Sequence, residues 1–416
     1  MYEYHTLDNG IRIILNHTHS RVVYSGVYVG VGSRDETGAD EGMAHFIEHS
    51  LFKGTEHRRA HHILNRIDGV GGELNAFTTK EETSVYASSL REHLPRCLEL
   101  FADILFHSTF PEAEIEKEKE VVIEEIDSYN DSPSELIYDH FEELAYEGHP
   151  LAHNILGTKR NVRHFTPERL RHHVATHYTP QLMVVSVVGD VDFGHLVRLC
   201  ERYFGGMPST PLTTTTQTIS ERRMRQDTRP VFHSFERHMN RHTHQAHLLV
   251  GCEAPDIYHR DKTAFTLLNN ILGGPAMNSR LNVAIRERYG FCYTVESQYV
   301  PFSDTGLFYI YAGTDLGTQN RVIELIRREL RHMAETSLTE RQLRMAQHQF
   351  IGQMAINNDM GINEMQSIGK ACLTFEHVDT LEEMNDDIMG VTSADLQRVA
   401  QERFADEKFS TLIYGN

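Results

Sequence analysis

The chain has 416 residues, of which 40% are hydrophobic and 24% are charged. A chain of this length exceeds what a single hydrophobic core usually organises, so we expect at least two domains. The 59 acidic and 40 basic residues give a formal net charge of −19, which argues against nucleic acid and anionic membrane as partners.

The N-terminus carries no recognisable targeting signal. Residues 1–5, Met-Tyr-Glu-Tyr-His, lack the basic and apolar regions of a signal peptide, and no apolar run reaches the roughly 20 residues of a membrane helix. The five cysteines are scattered and form no C-x-x-C pair, which indicates a reducing compartment rather than a disulfide framework. We therefore predict a cytoplasmic protein, and the sequence leaves open whether a presequence has been removed.

Strand patterns precede helix patterns along the first half of the chain. Residues 11–15 and 22–31 are rich in β-branched side chains with partial alternation, which predicts strands. Residues 61–67, 92–105 and 112–129 have the periodicity of helices. Because strands and helices do not alternate regularly, we predict an α+β fold with mostly antiparallel sheets.

A possible metal site lies in residues 42–52, Gly-Met-Ala-His-Phe-Ile-Glu-His-Ser-Leu-Phe. His45 and His49 are four residues apart, so a helix places both imidazoles on one face, at the spacing that tetrahedral zinc requires. Glu48 lies close to that face but offset from it, where it can contact a water on the metal. The motif alone is a weak signal in a chain with 27 histidines, and two solvent-facing histidines on an ordinary helix are the alternative.

The predicted helix over residues 112–129 supplies candidates for a third zinc ligand. Its many glutamates mostly form a solvated charge run: Glu112, Glu114, Glu116, Glu118, Glu120, Glu124 and Glu125. Glu118 and Glu125 differ from the others because they are two helical turns apart and share a face. Apolar residues beside them predict partial burial, where a carboxylate needs a partner such as a cation.

The two halves of the chain resemble one another. Residues 166–189 and 392–415 align without a gap, and each reads as a helix with a threonine cap, a short loop and an apolar strand ending in glycine. We therefore predict two homologous halves, each a mostly antiparallel sheet packed with helices. The predicted domains are residues 1–210 and 230–416, joined by a polar, turn-rich linker over residues 211–229.

Several motifs in the right order make the chain resemble the pitrilysin/insulinase family of zinc peptidases. The resemblance covers essentially the whole sequence and is closest to the half-length branch that includes mitochondrial processing peptidase and bacterial processing proteases. The segments that carry it are residues 35–38, 42–49, 52–55, 71–78, 273–274, 279–281, 286–293 and 311–314.

The resemblance implies the roles of the residues at the metal. His45 and His49 match the zinc histidines of the family, and Glu48 matches its general base. The third ligand of the family is a glutamate some seventy to eighty residues further on, followed by an aliphatic or small residue. Glu125 lies 76 positions after His49 and precedes an isoleucine. Glu125 is therefore the expected third ligand, with Glu124 as its rival.

Further roles are implied outside the ligand set. Glu118 matches a second acidic residue that supports the ligands. Asn75 and Ala76 match the strand that pairs with the substrate backbone. Arg286 and Tyr293 match a pair in the C-terminal half that approaches the scissile carbonyl, whereas by residue type alone they would be a surface charge and a core tyrosine.

We therefore predict a metalloendopeptidase that holds one Zn²⁺ per chain. It would hydrolyse extended, unstructured peptides by attack of a zinc-bound water activated by Glu48. A half-length chain is expected to form a homodimer, or a heterodimer with a paralogue. The alternatives are a non-catalytic family subunit or scaffold, which would typically have lost metal-site residues, and a metal-storage or sensing protein that binds several ions.

Overall fold

The computed structural model describes residues 2–207, 229–241, 243–375 and 377–415. Residues 211–228 of the predicted linker lie outside this description. The described residues form two sheets of six and five strands, each packed with helices.

The first sheet has the strand order β1-β2-β6-β3-β5-β4. All neighbouring strands are antiparallel except β2 and β6, which are parallel. Strand β6 lies inside the sheet and is buried along its whole length, which explains its uninterrupted apolar sequence. The strands are β1 (Glu3–Thr6), β2 (Arg12–His17), β3 (Val22–Val29), β4 (Glu73–Thr78), β5 (Thr83–Leu90) and β6 (Met183–Gly189).

The second sheet repeats this arrangement with the order β7-β11-β8-β10-β9. Its strand β11 is parallel to β7 and antiparallel to β8, just as β6 is parallel to β2 and antiparallel to β3. The prediction of two homologous α+β halves is therefore confirmed, with β1 as an addition to the first. The strands are β7 (Glu236–Asn240), β8 (Ala246–Ala254), β9 (Cys292–Pro301), β10 (Gly306–Thr314) and β11 (Ser410–Gly415).

The helices pack against these sheets, and none of those formed by the described residues has the length and apolar character needed to cross a membrane. In chain order the helices are α1 (Met43–Ser50), α2 (Ala60–Asp68), α3 (Leu94–Phe106), α4 (Glu112–Asn130), α5 (Pro133–Ala145), α6 (Lys159–Arg163), α7 (Pro167–His177), α8 (Phe193–Phe204), α9 (Lys262–Gly273), α10 (Gln319–Glu335), α11 (Glu340–Asn358), α12 (Gly361–Thr374), α13 (Leu381–Gly390) and α14 (Ser393–Arg403).

The repeated segments have the same local structure in both halves. The Thr166 hydroxyl accepts a hydrogen bond from the N–H of Arg169 at the start of α7, and the Thr392 hydroxyl accepts one from Asp395 at the start of α14. Each helix is followed by the strand, β6 or β11, that lies between a parallel and an antiparallel neighbour. A threonine cap and an apolar strand thus encode the same supersecondary unit twice.

Contacts divide the chain into two compact units that exchange one segment each. Of the residues that the structure describes, the first unit contains those within Met1–Asp127, His153–Arg225 and Ile356–Thr380, and the second contains those within Ser128–Ala152, Gln226–Ala355 and Leu381–Asn416. This division differs from contiguous halves over residues 1–210 and 230–416. The reason is that α12 covers a face of the first sheet, and α5 packs on the second.

Helix α12 closes the apolar face of the first sheet that α1 and α3 leave uncovered. Met365 and Ile368 of α12 pack with Tyr28 and Val184 of the sheet. Gly369 allows this close approach, because a Cβ there would lie 2.4 Å from the Tyr28 ring. The first unit therefore has a helical layer on each side of its sheet.

Candidate metal centre

Helix α1 carries the H-x-x-E-H motif, and two local features fix its N-terminus: the backbone conformation of Gly42 and hydrogen bonds to Glu36. Gly42 adopts the left-handed conformation with φ of 90°, and a Cβ there would lie 2.7 Å from the carbonyl oxygen of Leu156. The buried carboxylate of Glu36 accepts hydrogen bonds from the N–H groups of Gly42 at 2.7 Å and Ala44 at 2.6 Å. Burial raises the pKa of Glu36 to about 8 despite these bonds. The start of α1 is thereby fixed.

Three side chains from α1 and α4 converge on one point. Nε2 of His45 lies 3.7 Å from Oε1 of Glu125, and Nε2 of His49 lies 3.5 Å from Oε2 of Glu125. The three ligand atoms lie within 4.8 Å of one another. Zn–N and Zn–O bonds of about 2.0–2.1 Å in tetrahedral geometry require ligand atoms about 3.4 Å apart. Glu124, the rival from the sequence, is exposed and is not in this group.

The neutral state of His45 suits a cation, whereas the surrounding carboxylates raise the pKa of His49 against the effect of burial. Burial, with a smaller contribution from the charge of His49, lowers the pKa of His45 to about 3, so its imidazole is neutral, as a metal ligand must be. Oε2 of Glu125 is buried and has no hydrogen-bond partner among the described residues. A buried carboxylate oxygen without a donor is unfavourable unless a cation neutralises it, and the three residues therefore fit zinc.

Glu118 contacts His49 at the ring nitrogen that does not face Glu125. Its Oε1 lies 2.9 Å from Nδ1 of His49, and its Oε2 lies 2.6 Å from Nζ of Lys53. Burial alone would raise the pKa of Glu118, but the hydrogen bonds from His49 and Lys53 outweigh it and hold that pKa low. An ionised Glu118 accepts a hydrogen bond from Nδ1–H of neutral His49, and in that tautomer Nε2 is the nitrogen available to a metal. Sequence reasoning included Lys53 in a family motif but assigned it no role, although it lies four residues after His49.

Glu48 projects from α1 towards the end of strand β4. The Thr78 hydroxyl donates a hydrogen bond of 2.7 Å to Oε2 of Glu48. Burial and the nearby charge of Glu125 raise the pKa of Glu48, while the Thr78 hydrogen bond and His49 oppose that rise. Glu48 is outside the convergent ligand group. It is thus a carboxylate of raised pKa that lies beside the three convergent side chains.

Asn75 and Ala76 lie on β4, at the edge of the first sheet. Strand β4 pairs with β5 and with no other described strand, so the backbone groups on its outer edge have no strand partner in the described part of the chain. Ala76 faces the same core as α1, whereas Asn75 is exposed. The structure therefore places the predicted substrate strand against the helix that carries Glu48.

Arg286 and Tyr293 lie in the second unit and are brought together there. Arg286 belongs to a π-helical segment, Asn282–Glu287, and Tyr293 lies on β9. The guanidinium carbon is 5.6 Å from the centroid of the Tyr293 ring. Tyr293 is 82% exposed, which excludes the core position that its residue type favours. The pair is therefore available to a ligand, and its catalytic role remains a prediction.

Two homologous α+β halves, with a reversed zincin motif and a distant glutamate in the first, define a class of metallopeptidase-like proteins. Residues 12–159 match the family described as insulinase (peptidase family M16), and residues 164–350 match the peptidase M16 inactive domain. The chain belongs to this family, as its motifs predicted.

Curated relatives match over nearly the whole length. An uncharacterised zinc protease of Bacillus subtilis, YmxG, is 33% identical over 99% of this chain and 98% of its own length. An uncharacterised zinc protease of Streptomyces coelicolor is 34% identical over 95% of this chain and 86% of its own. The half-length architecture is therefore shared with these relatives.

Solved structures agree with the fold. A protease from Helicobacter pylori superposes with a TM-score of 0.89 over 100% of this chain and 99% of its own, at 22% identity. A peptidase M16 inactive domain from Pseudomonas fluorescens gives a TM-score of 0.87 over 100% and 98%, at 19% identity. At these identities the similarity supports the fold.

Proposed function

We propose that this chain is a zinc-dependent metalloendopeptidase with one Zn²⁺ per chain. The observation that carries the proposal is the convergence of His45, His49 and Glu125 beside a fourth, non-ligating carboxylate, Glu48. A scaffold subunit has no need of this combination, because a carboxylate at a metal site but outside the ligand set serves proton transfer. The names of the relatives, which are zinc proteases, support the same class of activity.

The chemistry follows from the residues of the first unit. Zinc bound by the three ligands would act as a Lewis acid and lower the pKa of a water that attacks the peptide carbonyl. Glu48 takes a proton from that water and returns it to the leaving amine. The raised pKa of Glu48 favours this second transfer, since a carboxylate that protonates readily is a better proton carrier near neutral pH.

The substrate we propose is an extended, unstructured peptide. The outer edge of β4 at Asn75 and Ala76 offers backbone donors and acceptors to an added strand, a mode of recognition that selects backbone conformation before side chains. Glu48 is tied to the same strand through Thr78, so a peptide along β4 would pass the ligand set. A folded protein would have to release a segment before it could pair in this way.

We also propose that Arg286 and Tyr293 stabilise the negative charge that develops on the scissile carbonyl oxygen. A guanidinium and a phenol are suitable donors for an oxyanion, and their exposure and mutual contact support a shared ligand. The active assembly we propose is a dimer, either of identical chains or with a paralogue, because the described residues form two such units. Light scattering on the active protein measures this state, and a fully active monomer contradicts it.

The proposal is tested by four single substitutions assayed for zinc content and for peptide cleavage by mass spectrometry. His45→Ala and Glu125→Gln should lose zinc and activity together. Glu48→Gln should keep zinc and lose turnover, because Glu48 is not a ligand. Glu124→Gln is the matched control, since it changes the exposed neighbour of Glu125 and should leave both properties intact.

Two results would contradict the proposal. Wild-type protein that takes up no zinc on reloading would remove the metal centre, and zinc-loaded protein that cleaves no peptide would favour a non-catalytic subunit. Wild-type turnover in Glu48→Gln would remove the general base while leaving the metal centre in place.

A further inference from the structure

A cavity of 330 Å³ lies in the first unit, on the side of β4 that faces away from α1. Side chains alternate along a strand, so Leu74, Ala76 and Thr78 face α1 while Asn75 and Phe77 face the opposite side. The cavity is lined by Tyr28, Phe77, Glu82, Asn357, Asn363, Gln366, Ser367 and Lys370.

The floor of the cavity belongs to a row of three residues across β3, β5 and β4, of which Tyr28 and Phe77 line the space. Ser84 is the register partner of both Tyr28 and Phe77. Its small side chain lies between the Tyr28 and Phe77 rings, whose centroids are 6.2 Å apart. Tyr28 and Ser84 are fully buried. The two hydroxyls lie beside each other, and a hydrogen bond from Ser84 lowers the pKa of Tyr28 against the larger rise that burial causes.

One wall of the cavity is a polar stripe of helix α12. Asn363, Gln366, Ser367 and Lys370 follow the i, i+3, i+4, i+7 spacing of a single helical face. The other face of α12 is apolar and packs on the sheet. The polar stripe therefore lies beside the floor row, and the helix is attached to the sheet without filling this space.

The charges in the cavity balance. Nζ of Lys370 lies 3.1 Å from Oε1 of Glu82, whose side chain is almost completely buried, while Lys370 is half exposed. A buried carboxylate paired with one lysine leaves no formal charge for a ligand to neutralise. The entry of a charged side chain would require either an unpaired charge or the displacement of Lys370.

The cavity lies next to the proposed path of a substrate. A strand added to the outer edge of β4 runs about 4.8 Å from it, and every second side chain of that strand points to the same side as Asn75 and Phe77. The space above Ser84 lies one strand further in, beyond Phe77. Diagonal neighbours on adjacent strands are roughly 7–8 Å apart. A substrate side chain therefore reaches this space only if it is long enough to extend across Phe77.

We propose that this cavity is a substrate subsite that selects a long, uncharged, hydrogen-bonding side chain, of the glutamine type, at alternate positions of an extended peptide. The ring of Phe77 accepts an apolar stem, and the side chains of Asn363, Gln366 and Ser367 donate hydrogen bonds to a polar tip and accept them from it. This inference rests on the proposed peptidase function and adds the side chain that the enzyme selects.

The test changes the charge balance of the cavity by replacing Lys370 and then Glu82. Lys370→Met removes the partner of Glu82 and raises the pKa of that buried carboxyl further. At a pH high enough to ionise Glu82, the preference at the same positions should shift from glutamine to lysine or arginine, by about tenfold or more in kcat/KM, because an unpaired buried carboxylate attracts a cation. The double variant Glu82→Gln with Lys370→Met is neutral again and should return the preference to glutamine. A damaged fold would produce neither the switch nor its reversal.

The experiment uses the full-length, zinc-loaded protein and a host peptide with one cleavage site located by mass spectrometry. Each position of the peptide is replaced in turn by glutamine, lysine, glutamate and leucine, and kcat/KM is compared. Binding of the same peptides to Glu48→Gln measures selection without turnover. Lys117→Met is the control, since Lys117 is an exposed lysine on α4 that is paired with Glu114 outside the cavity.

The proposal expects the switch at alternate positions only. An unchanged profile in Lys370→Met, a change spread equally over both sets of positions, or a wild-type preference for apolar or charged side chains at all positions would overturn it. Cleavage with any of these profiles rejects the subsite and leaves the peptidase function in place. Wild-type protein that neither binds nor cleaves the peptides rejects both.

Discussion

Replacing Thr78 with valine tests how the structure sets the ionisation of Glu48. The change preserves the β-branched shape on strand β4 and removes the hydroxyl that donates to Oε2 of Glu48 at 2.7 Å. That hydrogen bond favours the ionised carboxylate and counteracts the effect of burial, which raises the pKa of Glu48. Without it the pKa of Glu48 rises further.

The sign and size of the effect follow directly. In the proposed function Glu48 is the base and must be ionised in the free enzyme, so a higher pKa moves the acid limb of kcat/KM to higher pH. A hydrogen bond to a charged group contributes about 1.5–3 kcal/mol, so kcat/KM on the acid limb should fall about 10- to 150-fold. At pH values well above the limb, where Glu48 is ionised in both proteins, most of the activity should return.

The assay is the pH dependence of kcat/KM for wild type, Thr78→Val and Thr78→Ser, with zinc content measured at each pH. Thr78→Ser keeps the hydroxyl and should retain the wild-type midpoint. A loss of activity that is uniform across pH, or an unmoved midpoint in Thr78→Val, would refute the reasoning. The first result would indicate a disturbed strand, and the second would show that the hydrogen bond does not control the base.

Three further predictions address the metal, the second unit and the stability of the fold. Glu118→Gln should weaken zinc binding about 10- to 100-fold in competition with a chelator, because His49 loses its charged acceptor; an unchanged affinity would contradict this. Arg286→Ala and Tyr293→Phe should each lower kcat/KM roughly 100-fold with zinc content and melting temperature unchanged, and near-wild-type kinetics in both would remove them from the mechanism. Burial, with the charge of His177 in second place, lowers the pKa of His173 to about 4, so the folded protein holds this side chain neutral. The free energy of unfolding that depends on neutral His173 is fully present above the unfolded pKa of about 6.5 and falls by about 3 kcal/mol as the pH falls towards 4. In His173→Phe, the free energy of unfolding measured with denaturant should therefore depend less on pH between these two values.

The parts of the site that could be predicted from sequence are local. The i, i+4 spacing of His45 and His49 is a property of any helix, and α1 forms where the motif predicts it. The prediction of Glu125 as a ligand required more information than spacing, because α4 contains seven glutamates and only its position on the partly buried face distinguishes Glu125 from Glu124. The family resemblance selected it, and the structure brings it to the two histidines.

The supporting contacts were not predictable because they join residues that are distant in sequence. Thr78 meets Glu48 only when β4 lies beside α1, and Lys53 shares Glu118 with His49 only when α4 packs behind α1. Glu36 formed part of a recognised motif, but its role as the acceptor at the start of α1 depends on how the loop before the helix folds back. Composition and periodicity carry no information about these approaches.

The same limit applies to the fold. The repeat predicted the shared topology of the two sheets, since a capped helix followed by an apolar strand appears twice. An apolar helical face, however, does not specify which sheet it covers. The pattern of α12 is compatible with packing on either sheet, and its position on the first one arises from shape, as in the contact of Gly369 with Tyr28.

The position of α12 has a consequence for biosynthesis. Strand β6 completes the first sheet at Gly189, but the helix that covers its second face ends at Thr374, about 185 residues later. At about 5–20 residues per second, a ribosome needs roughly 10–40 s to synthesise that interval. Throughout it, Ile14, Tyr28, Val184 and Val188 lack their helical cover in the nascent chain. The N-terminal half therefore exposes apolar surface to which chaperones bind until α12 is synthesised. A chain that ended near its middle would keep this surface exposed and would be prone to aggregate.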